Sequence, residues 1–250
     1  MTTADTGASA AAPSTADTAL DPLRVVSYNL WQGRAQRELE ALIERTSADV
    51  LCLQEAYTPA LPQHLGTLDL AVATTQNRLG VAVYVRRTRF AVEKAETFRL
   101  TRSLHDQLIG GADHRLAAAR VEDRSTGRAL VLGSFHGTPM TDLNSVRRLQ
   151  VDDAHRALGA LGPGLPTLMA GDYNHPFFLD ALRRHLRRQG FALARTATST
   201  YSKQGSLMRG PFDLATVSKL VVTDAAALAQ GTSDHKPVLF TMRYAKPALV

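Results

Sequence analysis

The chain has a single cysteine, Cys52, in 250 residues. No disulfide can form within it, which excludes a small scaffold stapled by disulfides. Cys52 lies inside the apolar run Val50–Leu53 and reads as a small core residue, not a nucleophile. Aromatic residues make up only 6% of the chain, with one Trp, at position 31. No uninterrupted apolar run approaches the roughly 20 residues that a membrane-spanning helix needs. No internal repeat stands out, and no Gly/Ser-rich linker divides the middle of the chain. The first twenty-one residues contain Asp5, Asp17 and Asp21 but no Lys or Arg. Without a basic segment leading into an apolar one, this stretch lacks the features of a secretory signal. Its Ala, Thr and Ser content predicts a disordered tail over residues 1–22. A cytoplasmic location is the expectation.

What is present suffices for a sizeable core. The 44% hydrophobic content over this length suits one globular domain, expected over residues 23–245. The formal net charge is +6, and it lies outside the acidic N-terminal stretch. A basic body favours polyanionic partners such as nucleic acid or other phosphoester substrates, although a solvated Arg-rich surface would carry the same charge. No protein partner is indicated.

Five hydrophobic runs end in polar punctuation. Val25–Tyr28 stops at Asn29, Val50–Gln54 at Glu55 and Leu130–Phe135 at His136. Thr167–Gly171 stops at Asp172, with Asn174 two residues on, and Asp234-His235 sits just before Pro237–Phe240. Catalytic groups concentrate on loops held by a rigid scaffold, so this recurrence points to one site assembled from strand ends. Oxygen-rich ligands of this kind suit a hard cation such as Mg²⁺ or Mn²⁺. Periodicity predicts further strands at Gly80–Arg86, Phe90–Leu100, Arg115–Glu122 and Val238–Tyr244, and one strand over Phe212–Val222. Helices are expected at Ala35–Arg45, Leu143–Leu161 and Phe177–Gln189. Fully apolar strands mixed with helices imply an α/β (α+β) fold in which helices cover the sheets.

The segments Leu51-Cys52-Leu53-Gln54-Glu55, Gly171-Asp172-Tyr173-Asn174 and Ser233-Asp234-His235-Lys236-Pro237-Val238, in that order and with Asn29, His136 and Asp213, resemble the endonuclease/exonuclease/phosphatase superfamily. Pancreatic-type deoxyribonucleases, apurinic endonucleases, neutral sphingomyelinases and inositol polyphosphate 5-phosphatases belong to it. The resemblance spans Leu23 to Phe240. It implies a four-layer sandwich of two mixed β-sheets flanked by helices, with the site at one end.

The resemblance also implies roles. Glu55 would be the principal metal ligand, with Asn29 and Asp234 assisting at the metal. Asp172 would position or deprotonate the attacking water, and Asn174 would donate to phosphate oxygens. His235 would contact the phosphate, paired with Asp213, although Pro211-Phe212 departs from the usual residues before that aspartate. His136 would serve the leaving group, as in pancreatic-type nucleases and sphingomyelinases. The carboxylate that normally supports it is missing from Gln76-Asn77-Arg78, where it is expected. Taken singly, Asn29 and the Asp172-x-Asn174 pair could equally be ordinary turn residues. Weaker substrate-contact candidates are Arg78, Arg147, Arg148, His175 and Tyr201. The leading expectation is a metal-dependent phosphodiester hydrolase acting on DNA or RNA. Hydrolysis of a small or lipid-linked phosphoester and a catalytically inactive binding module are the alternatives.

Overall fold

Alternate residues of the same strand lie in different cores. In β1 (Leu23–Asn29), Leu23 and Val25 join one apolar cluster while Val26 and Tyr28 join another. Successive strand side chains point to opposite faces, so a run that is apolar at every position must be covered on both sides. The computed structural model, which describes residues 21–75, 79–102, 114–175, 177–202 and 209–246, meets this demand with four layers.

One mixed sheet contains β1, β2 (Val50–Ala56), β3 (His64–Leu65), β4 (Leu68–Ala73), β5 (Gly80–Arg86), β12 (Leu220–Ala227) and β13 (Val238–Tyr244). Its order is β12-β13-β1-β2-β5-β4-β3. The other holds β6 (Phe90–Arg99), β7 (His114–Asp123), β8 (Arg128–His136), β9 (Thr167–Asp172), β10 (Ala192–Arg195) and β11 (Asp213–Ser218), ordered β10-β11-β9-β8-β7-β6. Each sheet has one parallel pair at its centre, β1–β2 and β8–β9. Val25, Val50, Cys52 and Val83 of the first sheet meet Val121, Leu132, Leu168 and Ala215 of the second between the layers. Helix α1 (Leu39–Thr46) covers the outer face of the first sheet. Helices α2 (Asn144–Leu161) and α3 (Leu179–Arg188) cover the second. Cys52 is fully buried, and burial pushes its thiol up to about 12, which leaves it inert.

Most expected elements form within a residue or two of their bounds, with three departures. The helix expected over Ala35–Arg45 begins as a 3₁₀ turn, Arg34–Glu38, and becomes α-helical only at Leu39. The single strand expected over Phe212–Val222 is two strands in different sheets. The chain turns at Lys219, which has a left-handed φ of 55°, and this bend carries it from one layer to the other. Strands β3, β4 and β10 are short edge or near-edge elements without a long apolar run. The expected tail, residues 1–22, falls almost wholly outside the described residues.

At the end of the sandwich remote from Asn29, a charged network ties the sheets together. Arg86 Nε and Arg89 Nη1 donate to Asp49 at 2.8 and 2.9 Å. Arg89 Nη2 reaches Asp123 at 3.2 Å, and Tyr244 Oη and Ser125 Oγ donate to the same carboxylate. Asp123 is fully buried. Burial pushes its carboxyl up, but the bonds from Ser125 and Arg89 outweigh this and hold it below the ordinary value of 3.8. Removing one partner of a buried pair leaves the other charge uncompensated, a loss of about 3 kcal/mol. Asp123→Ala should lower the unfolding free energy by that amount in urea titration. The stabilisation is complete above pH 3.8 and disappears as pH falls through the native value, so the variant should show the smaller acid-induced loss.

Candidate active site

Strand register builds the site. In the six-stranded sheet, His136 of β8 pairs with Asp172 of β9, and Asp172 pairs with Asp213 of β11. Three functional groups therefore stand in one row across adjacent strands. In the seven-stranded sheet, Asn29 pairs with Gln54, one residue before Glu55. The two sets meet across the gap between the sheets. Gly171 permits the first row: a β-carbon there would lie 1.8 Å from the Phe135 carbonyl oxygen of the neighbouring strand.

Asp172 is the centre of the arrangement. Its Oδ2 accepts a hydrogen bond from Asn29 Nδ2 at 3.0 Å. It lies 3.6 Å from His235 Nε2 and 3.9 Å from His136 Nε2. Its Oδ1 accepts the Asn174 backbone N–H at 2.9 Å. Asn29 Nδ2 also donates to Glu55 Oε1 at 3.2 Å, and Gln32 N–H donates to Glu55 Oε2 at 3.1 Å. His235 Nδ1 bonds Asp213 Oδ2 at 2.9 Å, the pair that the resemblance implies. Among the described residues His136 has no hydrogen-bonded carboxylate. Its Nε2 stands 3.9 Å from Glu55 and from Asp172, across the space a substrate would enter.

Electrostatics separates the roles of these groups. Burial pushes the Asp172 carboxyl well above the ordinary carboxylate range; His235 pulls it back, while Asp213 and Glu55 push it further up. Burial pulls the His235 imidazole down, but Asp213 and Asp172 outweigh burial and hold it at about 10. Burial also pulls His136 down, against the opposing pull of Glu55, so that this imidazole is neutral near pH 7.

The backbone is strained where these groups sit. Trp31, Gln32 and Gly33 have consecutive positive φ values of 45°, 59° and 76°. This coil aims the Trp31 N–H at Asn29 Oδ1 and the Gln32 N–H at Glu55. Glu55 and Asn174 are also left-handed, both at φ 49°. Glu55 lies within a register shift between β2 and β5, which swings its carboxylate out of the ladder. Unfavourable backbone of this kind concentrates at functional sites.

Among the described residues, no three Cys, His, Asp or Glu side chains enclose a metal by themselves. A Mg²⁺-type cation does not need such an enclosure, since it keeps several waters and takes one or two carboxylates. The donor set suits that cation. Glu55 is partly exposed with both oxygens oriented, Asn29 is adjacent, and Asp213 Oδ1 is buried with no hydrogen-bond partner among the described residues. A cation would also relieve the crowding of Glu55, Asp172 and Asp213.

The remaining candidates divide. Tyr201 bridges to His235 and packs its ring edge-on at 5.0 Å, so it buttresses the imidazole. Asp234 adds to the negative field on His235 from the adjacent position. His175 is buried beside Asn174; burial pulls its imidazole down, and the charges of Arg147 and Arg148 act in the same direction. Arg148 is exposed on the first turn of α2. Arg147 is buried, and its guanidinium donates to Pro139 O at 2.9 Å and to Asn144 Oδ1, so it clamps the loop before α2. Arg78 lies outside the described residues. Arg115 and Thr200 carry no motif and were missed, and Gln54, inside a quoted segment, was given no role of its own. Arg115 donates to the carbonyls of His136 and Gly137 at 3.1 and 3.2 Å. Thr200 Oγ1 accepts the N–H groups of Phe212 and Asp213. Gln54 Nε2 crosses between the sheets to Ser134 Oγ at 3.0 Å. Only a tertiary structure could reveal them, because each acts through backbone or at long sequence separation.

A two-sheet sandwich with a carboxylate, amide and imidazole cluster at one end is the architecture of metal-assisted phosphoester hydrolases. The sequence profile of the Endonuclease/Exonuclease/phosphatase family matches residues 26–235, and the chain belongs to that family. Its members hydrolyse phosphoester bonds and generally use divalent metal ions. Among solved structures, the chain is similar to the endonuclease/exonuclease/phosphatase from Bacteroides vulgatus, with 17% identity over 89% of this chain and 99% of that one, TM-score 0.71. It is also similar to the human Nocturnin catalytic domain with bound sulfate, with 20% identity over 90% and 94% of the two chains, TM-score 0.67. D. rerio TDP2 complexed with single strand DNA product shares 16% identity over 89% and 99%, TM-score 0.70. No curated protein sequence matches.

The Asp213–His235 pair makes a pH prediction for the metal-free protein. The native imidazole titrates near 10 against an ordinary 6.5, so its stabilisation is complete below pH 6.5 and lost as pH rises through about 10. Thermal melts in EDTA across that range should fall for the wild type and flatten for Asp213→Asn. Parallel curves would contradict the pairing.

Proposed function

We propose that this chain is a metal-dependent phosphodiester hydrolase acting on nucleic acid, DNA or RNA. The observation that carries the reading is the convergence of two imidazoles and one amide on the Asp172 carboxylate. Asp172, raised by burial, accepts the proton of the attacking water. His235, held as a cation by Asp213, neutralises charge developing on the phosphoryl oxygens. Neutral His136, on the other flank of Asp172, has an Nε2 able to donate to the departing oxygen. Asn174 is oriented by its bond to Gly137 O and by Asp172, with its amide at the mouth of the site. Glu55 would hold a Mg²⁺ or Mn²⁺ ion, oriented for it by the Asn29 amide, with Asp234 as a further acid. Such an ion polarises the phosphoryl group and stabilises the leaving oxygen. The basic body supports a polyanionic substrate.

Cleavage of supercoiled plasmid and of single-stranded RNA, with Mg²⁺, Mn²⁺ and EDTA arms, tests the reading. We expect metal-dependent cleavage, reduced by about 10²-fold or more in Asp172→Asn and in His235→Ala. Cleavage at subsaturating substrate should fall steeply with salt, because phosphate contacts release counterions. Full activity in either variant, or turnover of small or lipid phosphoesters alone, would refute it.

A further inference from the structure

The catalytic row leaves a neighbouring cleft unused. Three and four residues beyond Asn174 the chain presents Phe177 and Phe178, 57% and 71% exposed. Phe178 holds a left-handed φ of 58°, rare for a bulky side chain and a reason to look for function. With Leu179, Asp180, Ala181, Arg184 and Arg195 it lines an open cleft of about 380 Å³. Arg184 and Arg195 are exposed and make no ion pair among the described residues. Asp180, the one acid in the cleft, is already paired with Arg183 at 2.7 Å. Arg187 and Arg188 extend the positive field along α3.

Register places this cleft relative to the chemistry. Arg195 ends β10 opposite Leu214, the residue after Asp213, and Asp213 pairs with Asp172. Arg195 therefore lies at the catalytic end of the six-stranded sheet, its backbone two strands, about 10 Å, from the strand of Asp172 at the usual strand spacing. Leu214 packs in the cluster under α2 and α3, so Arg195, sharing its face, projects toward the helices and away from the gap between the sheets.

We propose that this cleft, on the helix-covered face at the catalytic end of the sheet, binds a nucleotide of a single strand that runs on from the catalytic site, its base stacked on Phe178 and its phosphate held by Arg184 and Arg195. The inference rests on the nucleic-acid reading of the catalytic site. A ring face can take only a base that has left its own stack, which selects single strands over duplex. Two guanidiniums lining the same cleft supply the complementary charge for the linked phosphate.

The test is fluorescence anisotropy of a labelled short single-stranded oligonucleotide and of the matching duplex, with the full chain in EDTA so that cleavage does not intervene. Tighter binding of the single strand is expected. Phe178→Ala should weaken it about tenfold, and Phe178→Trp should retain it. Arg184→Ala and Arg195→Ala should each reduce the salt slope by about one. Unchanged affinity in Phe178→Ala and in the Arg184/Arg195 double alanine variant would overturn the proposal. So would Phe178-dependent binding to anionic phospholipid vesicles without oligonucleotide binding. The cleavage assay is read separately. Stacking-dependent binding by a protein that cleaves nothing sinks the hydrolase reading and keeps the cleft, whereas cleavage with no Phe178 effect does the reverse.

Discussion

One amide group holds the two halves of the site together. Asn29 Nδ2 donates to Glu55 on its own sheet and to Asp172 on the opposite sheet. Two carboxylates brought together in a half-buried space repel unless a donor or a cation sits between them. Asn29 supplies that donor, and its orientation is fixed because Oδ1 is occupied by the Trp31 N–H. The remaining functional groups are placed relative to this bridge.

Each is held by a different physical device. Parallel pairing of β8 and β9, possible only because Gly171 lacks a side chain, sets His136 beside Asp172. The loop carrying His235 is tied to β1 by Ser233 Oγ donating to Asn29 O at 2.7 Å, and Glu38 accepts the Thr232 N–H at 2.7 Å. Gln54 and Ser134 stitch the sheets just beneath, where an apolar pair would leave the layers free to slide. Catalysis by positioning requires tolerances of this order, since a displacement of about 1 Å can lower a rate by two orders of magnitude. The buried polar seam thus serves the geometry of the site as well as the cohesion of the sheets.

Much of this was legible in the sequence because strand ends announce themselves. Apolar runs closing on Asn29, Glu55, His136 and Asp172 are read directly, and register then brings them together without further information. The pairing of Asp213 with His235 followed from resemblance despite the unusual Pro211-Phe212. Other features have no one-dimensional signature. The positive φ at Lys219 that splits Phe212–Val222 occurs at a residue that usually avoids it. Arg147 reads in sequence as a candidate substrate contact at the opening of the helix after His136, whereas its bond to Pro139 O has no one-dimensional signature. The placement of Arg195 in one cleft with Phe178 and Arg184 depends on β10, an edge strand too short to register as a periodic pattern.

The bridge itself is tested most directly by a double-mutant cycle on turnover with Asn29→Ala, Glu55→Gln and the combined variant. If Asn29 acts by orienting Glu55 against Asp172, the two losses overlap, and the double variant is scarcely slower than the worse single one. Losses that multiply would show that Asn29 and Glu55 act independently, and the site would not be the single unit described.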